Sequence, residues 1–211
     1  MKQINIGNKL ISSENSCYLI AEIGINHNGD LDNVVKLMNN SKDAGFDCVK
    51  FQKRTPELST PDSQKNVMRE TPWGEMTYLE YKKRIELDKE AYSAIDQHSK
   101  KIGIDWTASC WDIPSVDFIA DFNVPFIKIA SASLTDKDLI HKIKNTKKPI
   151  ILSTGMSTME EIKKAVALLD ESELILLHTT SAYPCAPEEL NLNMINTLKN
   201  QFPELIIGYS G

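Results

Sequence analysis

The sequence predicts an α/β protein built on a parallel β-sheet, and two regularities of the chain lead to that prediction. Short apolar runs recur along the chain, and helical patterns lie between most of them. Strands that alternate with helices are joined by crossovers, which produces parallel strands buried on both faces. Right-handed crossovers leave two arrangements open, a closed β/α barrel or a doubly wound open sheet, and periodicity does not choose between them.

The apolar runs predict seven strands, because each is short and most contain β-branched residues. They lie at residues 18–23, 48–52, 104–109, 125–129, 149–153, 174–178 and 205–209. Helical spacing is clearest in two stretches, one ending near Gly45 and one ending at Gly103. A third helix should begin at Ser157, because Ser157 and Glu160 have the spacing of a capping box.

Two stretches interrupt this alternation. Residues 4–11 predict a small β-hairpin that turns at Gly7 and Asn8. Residues 55–83, after the second strand, are polar and predict a long loop. A loop of that length in a compact domain is usually functional or disordered.

Composition excludes several classes of protein. Hydrophobic residues make up 41% of the chain and charged residues 25%, as in ordinary globular proteins, and no apolar run is long enough to span a membrane. A net charge of -5 without a dominant basic cluster argues against nucleic-acid binding. The first residues, Met1 and Lys2 onward, lack the pattern of a secretory leader, so a cytoplasmic protein is predicted. Its 211 residues are interpreted as one domain, 1–211, with reduced cysteines.

Polar residues collect where the predicted strands end. Parallel β/α folds place their sites at the carboxyl ends of the strands, so these residues should belong to one functional face. Lys50 and Gln52 have the same strand parity and should point the same way. The set is typical of an enzyme that handles anions, and it consists of Glu22, Lys50, Gln52, Lys128, Ser131 and Ser153.

Each of these residues also has a purely structural interpretation. Lys128 could extend outward from an edge strand. Glu22, between apolar neighbours, needs a lysine or metal partner if it is buried, and an ion pair with Lys50 or Lys128 would satisfy it. Ser153 lies just before a capped helix, whose amino end suits phosphate, although such junctions often contain Ser, Thr and Gly only as caps. His27 and His178 are interpreted as hydrogen-bonding residues and not as metal ligands.

Taken together, these residues resemble the sialic acid synthase family, which condenses phosphoenolpyruvate with an N-acylaminosugar such as N-acetylmannosamine. The similarity extends over essentially the whole chain and is carried by short motifs. They are Ala21-Glu22-Ile23-Gly24-Ile25-Asn26-His27-Asn28-Gly29, Val49-Lys50-Phe51-Gln52, Lys128-Ile129-Ala130-Ser131, Ile150-Ile151-Leu152-Ser153-Thr154-Gly155-Met156, and Tyr183-Pro184. The resemblance implies a TIM-type parallel β/α barrel and a carbon–carbon bond-forming transferase.

The resemblance also implies roles for individual residues. Glu22, Lys50 and Lys128 would be catalytic, with Glu22 as acid or base, and Ser181 and Tyr183 would face the sugar. Phosphoenolpyruvate would be bound by Lys50, Gln52, Ser109, Lys128, Ser131, Ser153 and Gly155. A manganese or magnesium ion held by histidines would polarise the aldehyde in the full-length enzyme. No ligand histidine is identified within this chain.

The chain departs from the family pattern in two ways. Ser133 stands where many members carry an acidic residue, which would alter one sugar or proton-transfer contact. The sequence also stops at Gly211, before the expected metal histidine, eighth strand and antifreeze-like domain. We therefore expect about seven of eight barrel strands and an inactive fragment. A homodimer is expected for the full-length protein but not for this chain.

Two other functions fit the same residues. In a class I aldolase, Lys128 would form a Schiff base with a carbonyl substrate. In a non-catalytic barrel remnant, the residues would bind phosphoenolpyruvate without turnover. The sequence does not distinguish which aminosugar is the acceptor.

Overall fold

A computed structural model describes residues 3–12 and 14–211 of the chain. Met1 and Lys2, on which the prediction of a missing leader partly depends, lie outside the described residues. The strands are β1 Ile4–Ile6, β2 Lys9–Ile11, β3 Ile20–Gly24, β4 Cys48–Lys53, β5 Met68–Thr71, β6 Gly74–Thr77, β7 Asp105–Cys110, β8 Ile127–Ile129, β9 Ile150–Ser153, β10 Leu174–Thr179 and β11 Ile206–Ser210. All the strands predicted from apolar runs are present, with ends displaced by no more than two residues.

Helices follow most of the parallel strands, as the alternation predicted. They are α1 Leu31–Asp43, α2 Pro56–Ser59, α3 Asp62–Lys65, α4 Tyr78–Ile85, α5 Lys89–Ile102, α6 Ile113–Ala120, α7 Lys137–Lys144, α8 Met159–Leu168 and α9 Met194–Gln201. The helix predicted to end at Gly103 does so: Gly103 is its C-cap and has a left-handed backbone, with φ of 68°, which suits glycine. The chain divides into two compact units, a central unit of Leu19–Asn123 and a terminal unit of Met1–Tyr18 with Val124–Gly211.

The central unit contains the parallel strands β3, β4 and β7. Its core is aromatic: Phe51, Tyr92 and Trp106 are buried, and the ring centroids of Tyr92 and Trp106 are 5.6 Å apart. Burial raises the pKa of the Tyr92 phenol well above its usual value. Its hydroxyl donates to the backbone carbonyl of Gln52 at 3.3 Å, so the core fixes the end of β4.

The stretch at residues 55–83 is folded, and the prediction of a long loop is wrong. It contains α2 and α3, an antiparallel hairpin of β5 and β6, and most of α4. Thr77 caps α4 by accepting from the backbone N–H of Glu80, whose carboxylate accepts from the Thr77 N–H in return. Local capping and hairpin bonds therefore supply order that the polar composition did not indicate.

The terminal unit contains the parallel strands β8, β9, β10 and β11, together with the predicted hairpin of β1 and β2. The hairpin turns at Gly7 and Asn8, as expected, and Ile4 and Ile6 of β1 are completely buried. Helix α8 begins one residue later than predicted. Its N-cap is Thr158, which forms a capping box with Glu161, because the chain offers the same spacing in two adjacent registers and Thr158 has the extended backbone of a cap.

Candidate active site

Lys50 is the centre of the polar cluster in the central unit. Its side chain is 9% exposed, and its Nζ forms an ion pair with Glu22 and donates to Ser109 Oγ at 3.2 Å. Glu22 lies beside Lys50 in the register of β3 and β4, so adjacent parallel strands present the two charges on the same face. The expected lysine partner of Glu22 is thus confirmed.

Glu22 itself is not enclosed, although its neighbours in the sequence are apolar. Its side chain is 48% exposed. Successive residues of a strand point to opposite faces, so Ala21 and Ile23 do not cover it. The ion pair therefore joins a buried ammonium to a carboxylate that solvent or a ligand can reach.

Gly24 brings Gln52 into this cluster. A Cβ at position 24 would lie 3.2 Å from Glu22 Oε1 and 3.4 Å from Gln52 Nε2, and its φ of 57° also favours glycine. The carboxylate and the amide nitrogen thus lie against the same glycine. Gln52 is adjacent to Ser109 in the register of β4 and β7. The structure therefore brings together all the predicted site residues of the central unit: Glu22, Lys50, Gln52 and Ser109.

Two polar residues of this region were not predicted from the sequence. Thr107 is completely buried and lies beside Lys50 in the register of β4 and β7. Arg54 is 6% exposed, and its Nη2 donates to Gln52 Oε1. The alternation that placed Lys50 and Gln52 on one face extends to Arg54 at the end of the strand, so parity was the signal that could have found it.

Lys128 is a half-buried cation of the terminal unit. Burial lowers the pKa of its ammonium from 10.5 to about 8. Within residues 3–12 and 14–211, the Lys128 ammonium has no hydrogen bond or ion pair. Partial desolvation without a counter-charge disfavours the ammonium form, so this position favours either an anionic ligand or an unprotonated amine.

Three polar groups surround Gly155 in the terminal unit. The Gly155 N–H donates to Ser131 Oγ at 3.0 Å. A Cβ at position 155 would lie 2.3 Å from Ser181 Oγ, 2.9 Å from Ser131 Oγ and 3.2 Å from the Thr179 carbonyl oxygen. Only glycine therefore fits among these groups. The structure brings together Ser131, Gly155 and Ser181, although the resemblance assigned Ser181 to the sugar and the other two to phosphoenolpyruvate.

Ser153 is a second unusual hydroxyl of this segment. Its side chain is completely buried, and its Oγ has no hydrogen-bond partner in the described part of the chain. Buried hydroxyls are normally paired, so the unpaired Ser153 Oγ has an unused hydrogen-bonding capacity.

The amino end of α8, which was expected to suit phosphate, already carries a carboxylate. The Glu161 carboxylate accepts from both the backbone N–H and the hydroxyl of Thr158, at 2.7 and 2.8 Å. A negative side chain already lies at this helix end, so a second anion would be repelled there.

Tyr183 and Ser133 differ in their exposure to solvent. Tyr183 is 82% exposed on the segment that follows β10, so its ring is available to a ligand. Ser133 is buried, and its N–H donates to the Ala130 carbonyl at 2.9 Å. A buried position here is consistent with an uncharged residue in place of the family's acidic one.

The four histidines do not form a metal site. His27 Nδ1 accepts from the Gly29 N–H at 3.0 Å, His98 Nε2 contacts Asn39, and His178 Nε2 contacts the Leu190 carbonyl. Among the residues that the structure describes, no three His, Cys, Asp or Glu side chains could hold an ion together. His27 and His178 are hydrogen-bonding residues, as predicted, and the described residues do not fit the metal that the resemblance implies.

The strand–helix alternation in each unit, with polar residues at the carboxyl ends of parallel strands, defines an enzyme-like domain of the β/α-barrel class. This chain resembles the crystal structure of N-acetylneuraminic acid synthetase from Leptospira borgpetersenii in complex with citrate, with a TM-score of 0.89 and 29% sequence identity. The match covers 99% of this chain and 69% of the synthetase chain. This likeness confirms the predicted α/β fold of TIM-barrel type. Residues 37–211 match the NeuB family, and the chain belongs to that family.

Curated relatives agree with the family. The chain is 38% identical to N-acetylneuraminate-9-phosphate synthase of Drosophila melanogaster, covering 97% of this chain and 56% of the relative. It is 35% identical to N,N'-diacetyllegionaminic acid synthase of Campylobacter jejuni, covering 91% of this chain and 59% of the relative. The chain thus spans less than two thirds of the length of these relatives. The prediction of the sialic acid synthase family, made from the motifs, is confirmed. No helix in the described ranges is long and apolar enough to cross a membrane.

Proposed function

We propose that this chain carries the chemistry that joins phosphoenolpyruvate to an N-acylaminosugar, giving a sialic-type acid and phosphate. The observation that carries the proposal is Lys128, a half-buried and partly desolvated ammonium for which no acidic partner is found among the described residues. A substrate with a carboxylate and a phosphate would supply the missing negative charge. Membership of the NeuB family supports this chemistry over other reactions of anionic substrates.

The proposed roles follow the residues of each unit. In the central unit, Lys50, Gln52 and Ser109 contact phosphoenolpyruvate, and Glu22 acts as acid or base. In the terminal unit, phosphoenolpyruvate is contacted by Lys128, Ser131, Ser153 and Gly155. Ser181 and Tyr183 contact the sugar, and the position of Ser181 beside Gly155 favours a hydroxyl that also reaches the phosphoenolpyruvate ligand.

In the proposed reaction, C3 of phosphoenolpyruvate attacks the aldehyde carbon of the open-chain sugar and forms the new carbon–carbon bond. Water then adds at C2, and the bond from C2 to the phosphate oxygen breaks, which leaves a ketone and free phosphate. Glu22 is exposed enough to give a proton to the aldehyde oxygen or to take one from the water. Lys50 and Lys128 neutralise the anionic substrate so that the enol carbon can approach the aldehyde.

A divalent ion, manganese or magnesium, is implied by the family resemblance and would polarise the aldehyde oxygen when bound. The described residues do not supply ligands for it, so no step above depends on it. The homodimer of the full-length protein and the cytoplasmic location stay predictions.

Calorimetric titration with phosphoenolpyruvate tests the proposal. We expect Lys128→Met to weaken binding about tenfold or more, because it removes the uncompensated charge. Lys148→Met is the matched control, since burial also lowers the pKa of Lys148, but its Nζ donates to the Val124 carbonyl at 3.0 Å. Phosphate release should then be measured with N-acetylmannosamine and its 6-phosphate as acceptors. Absence of both binding and release in the wild-type chain would contradict the proposal.

The class I aldolase remains a second candidate, because a lysine with a pKa near 8 has an appreciable neutral fraction. Borohydride reduction in the presence of a ketone or aldehyde substrate would then leave a covalent adduct on Lys128, detectable by mass spectrometry. The phosphoenolpyruvate reaction predicts no adduct. Binding of phosphoenolpyruvate without phosphate release would instead favour the non-catalytic barrel.

A further inference from the structure

Arg54 is the most constrained charged residue next to the candidate site. Its Nη2 donates to Gln52 Oε1, and its guanidinium carbon lies 5.2 Å from the centre of the Trp111 ring. Its Nε lies 3.7 Å from Glu86 Oε2, and its backbone N–H donates to Glu86 Oε1 at 3.1 Å. Gln52, Trp111 and Glu86 thus contact the buried guanidinium on different sides, and these contacts restrain it in the position from which it donates to Gln52.

The hydrogen bond from Arg54 decides which end of the Gln52 amide points away from Arg54. A glutamine amide has an acceptor oxygen and a donor nitrogen, and a half-turn about its last bond exchanges them. Arg54 can only donate, so it engages the oxygen. The nitrogen then lies toward Gly24, 3.4 Å from the position of a Cβ there, with Glu22 Oε1 3.2 Å from the same position.

We propose that Arg54 is a positioning residue. It holds the Gln52 oxygen, so that the NH2 group of Gln52 lies toward Gly24 and Glu22, where the proposed substrate would bind. Residue 52 then offers hydrogen-bond donors to an oxyanion. The reversed amide would present its oxygen and repel a carboxylate or phosphate. The inference rests on the proposed function, because Gln52 has this role only if phosphoenolpyruvate binds beside it.

Glu86 does not require Arg54 for neutralisation. Lys53 Nζ donates to Glu86 Oε1 at 2.7 Å and to the Leu87 carbonyl at 3.2 Å. The backbone bond from residue 54 to Glu86 also survives any change of the Arg54 side chain. Removing the guanidinium should therefore release Gln52 while the Lys53–Glu86 pair remains.

Substitution of Arg54 tests the inference through the affinity for phosphoenolpyruvate. Arg54→Met and Gln52→Ala should each weaken binding about tenfold, and the double variant should be no weaker than either single one. Arg54→Lys should restore part of the affinity, because an ammonium can also donate to the amide oxygen. The matched control is Arg69→Met, since Arg69 donates to Gln64 Oε1 at 3.3 Å and lies 4.0 Å from the Tyr78 ring centre on an exposed hairpin. Losses that multiply in the double variant, or an unchanged affinity in Arg54→Met, would overturn the inference.

The side-chain amide signal of Gln52 gives a readout that does not need substrate. In a nitrogen–proton NMR spectrum, the pair of signals that disappears in Gln52→Glu belongs to Gln52. These signals should shift in Arg54→Met and stay in place in Arg69→Met. If they shift but wild-type protein does not bind phosphoenolpyruvate, the proposed function fails while the orientation of Gln52 by Arg54 stands. If wild-type protein binds phosphoenolpyruvate and the signals do not respond to Arg54→Met, the positioning role fails.

Discussion

His27 should make the folded state less stable as the pH falls from about 6.5 to about 4. Its ring is 2% exposed, and burial lowers its pKa from 6.5 to about 4, with the Arg54 charge adding to the effect and a hydrogen bond to the Gly24 backbone opposing it. The neutral ring is also required because Nδ1 accepts from the Gly29 N–H at 3.0 Å. Protonation would convert that acceptor into a donor facing another donor.

The direction and the size of this change in stability follow from the different numbers of protons that the folded and unfolded states bind. Between pH 6.5 and about 4 the unfolded chain binds a proton that the folded chain does not, so acidification favours the unfolded state. Above 6.5 the contribution is constant, and below about 4 both states are protonated and the loss is complete. A difference of one in pKa corresponds to about 1.4 kcal/mol, so the whole lowering of the pKa from 6.5 to about 4 is worth at most about 3–4 kcal/mol.

Urea unfolding of wild type and His27→Asn between about pH 7 and about pH 4.5 measures this contribution. Asparagine keeps an acceptor for the N–H two residues on, as in an Asx-turn, but does not titrate. We expect the variant to be less stable than wild type near pH 7 and to lose less stability on acidification, so that the difference narrows. His141→Asn, which removes an exposed histidine of α7, controls for the loss of an imidazole as such. A difference between wild type and His27→Asn that is the same at every pH would refute the reasoning.

Four further substitutions test the packing and the capping. Gly155→Ala should weaken phosphoenolpyruvate binding about tenfold or more in calorimetry, because its Cβ would lie 2.3 Å from Ser181 Oγ; unchanged binding would contradict the arrangement around Gly155. Ile4→Ala should lower the free energy of unfolding by about 2–5 kcal/mol in urea titrations, since Ile4 is completely buried, and a loss below about 1 kcal/mol would argue against that burial. Thr158→Ala should cost about 1 kcal/mol and Ser157→Ala less, whereas the reverse order would restore the register predicted from the sequence.

The parts of the fold and site that could be predicted depend on regular patterns. Short apolar runs gave the parallel strands, and strand parity placed Lys50 and Gln52 on one face, where the structure also brings Glu22 and Ser109. The contact of Ser181 with Gly155 could not be predicted, because it joins the segments after two different strands and has no sequence period.

Local bonds explain the other differences. The stretch at residues 55–83 is polar in composition, yet the Thr77–Glu80 capping box and the β5–β6 hairpin order it. The start of α8 was displaced by one residue because two adjacent positions satisfy the same capping pattern, and only backbone geometry chooses between them. Charge composition likewise gave no sign that Arg54 would be buried against Trp111.

The terminal unit is discontinuous in the chain, and this has a consequence for its biogenesis. Ile4 and Ile6 are buried, and the ring of Tyr18 packs edge-on against Phe126 at 6.3 Å between centroids, so the hairpin belongs with residues made much later. The ribosome makes the hairpin before the strands that complete its unit, and those strands follow only after the whole of Leu19–Asn123. During that interval the two isoleucines have no permanent cover, and closing so long a loop is slow. Co-translational folding of the central unit should therefore precede that of the terminal unit, and the hairpin should reach its final place only after residues made much later than itself.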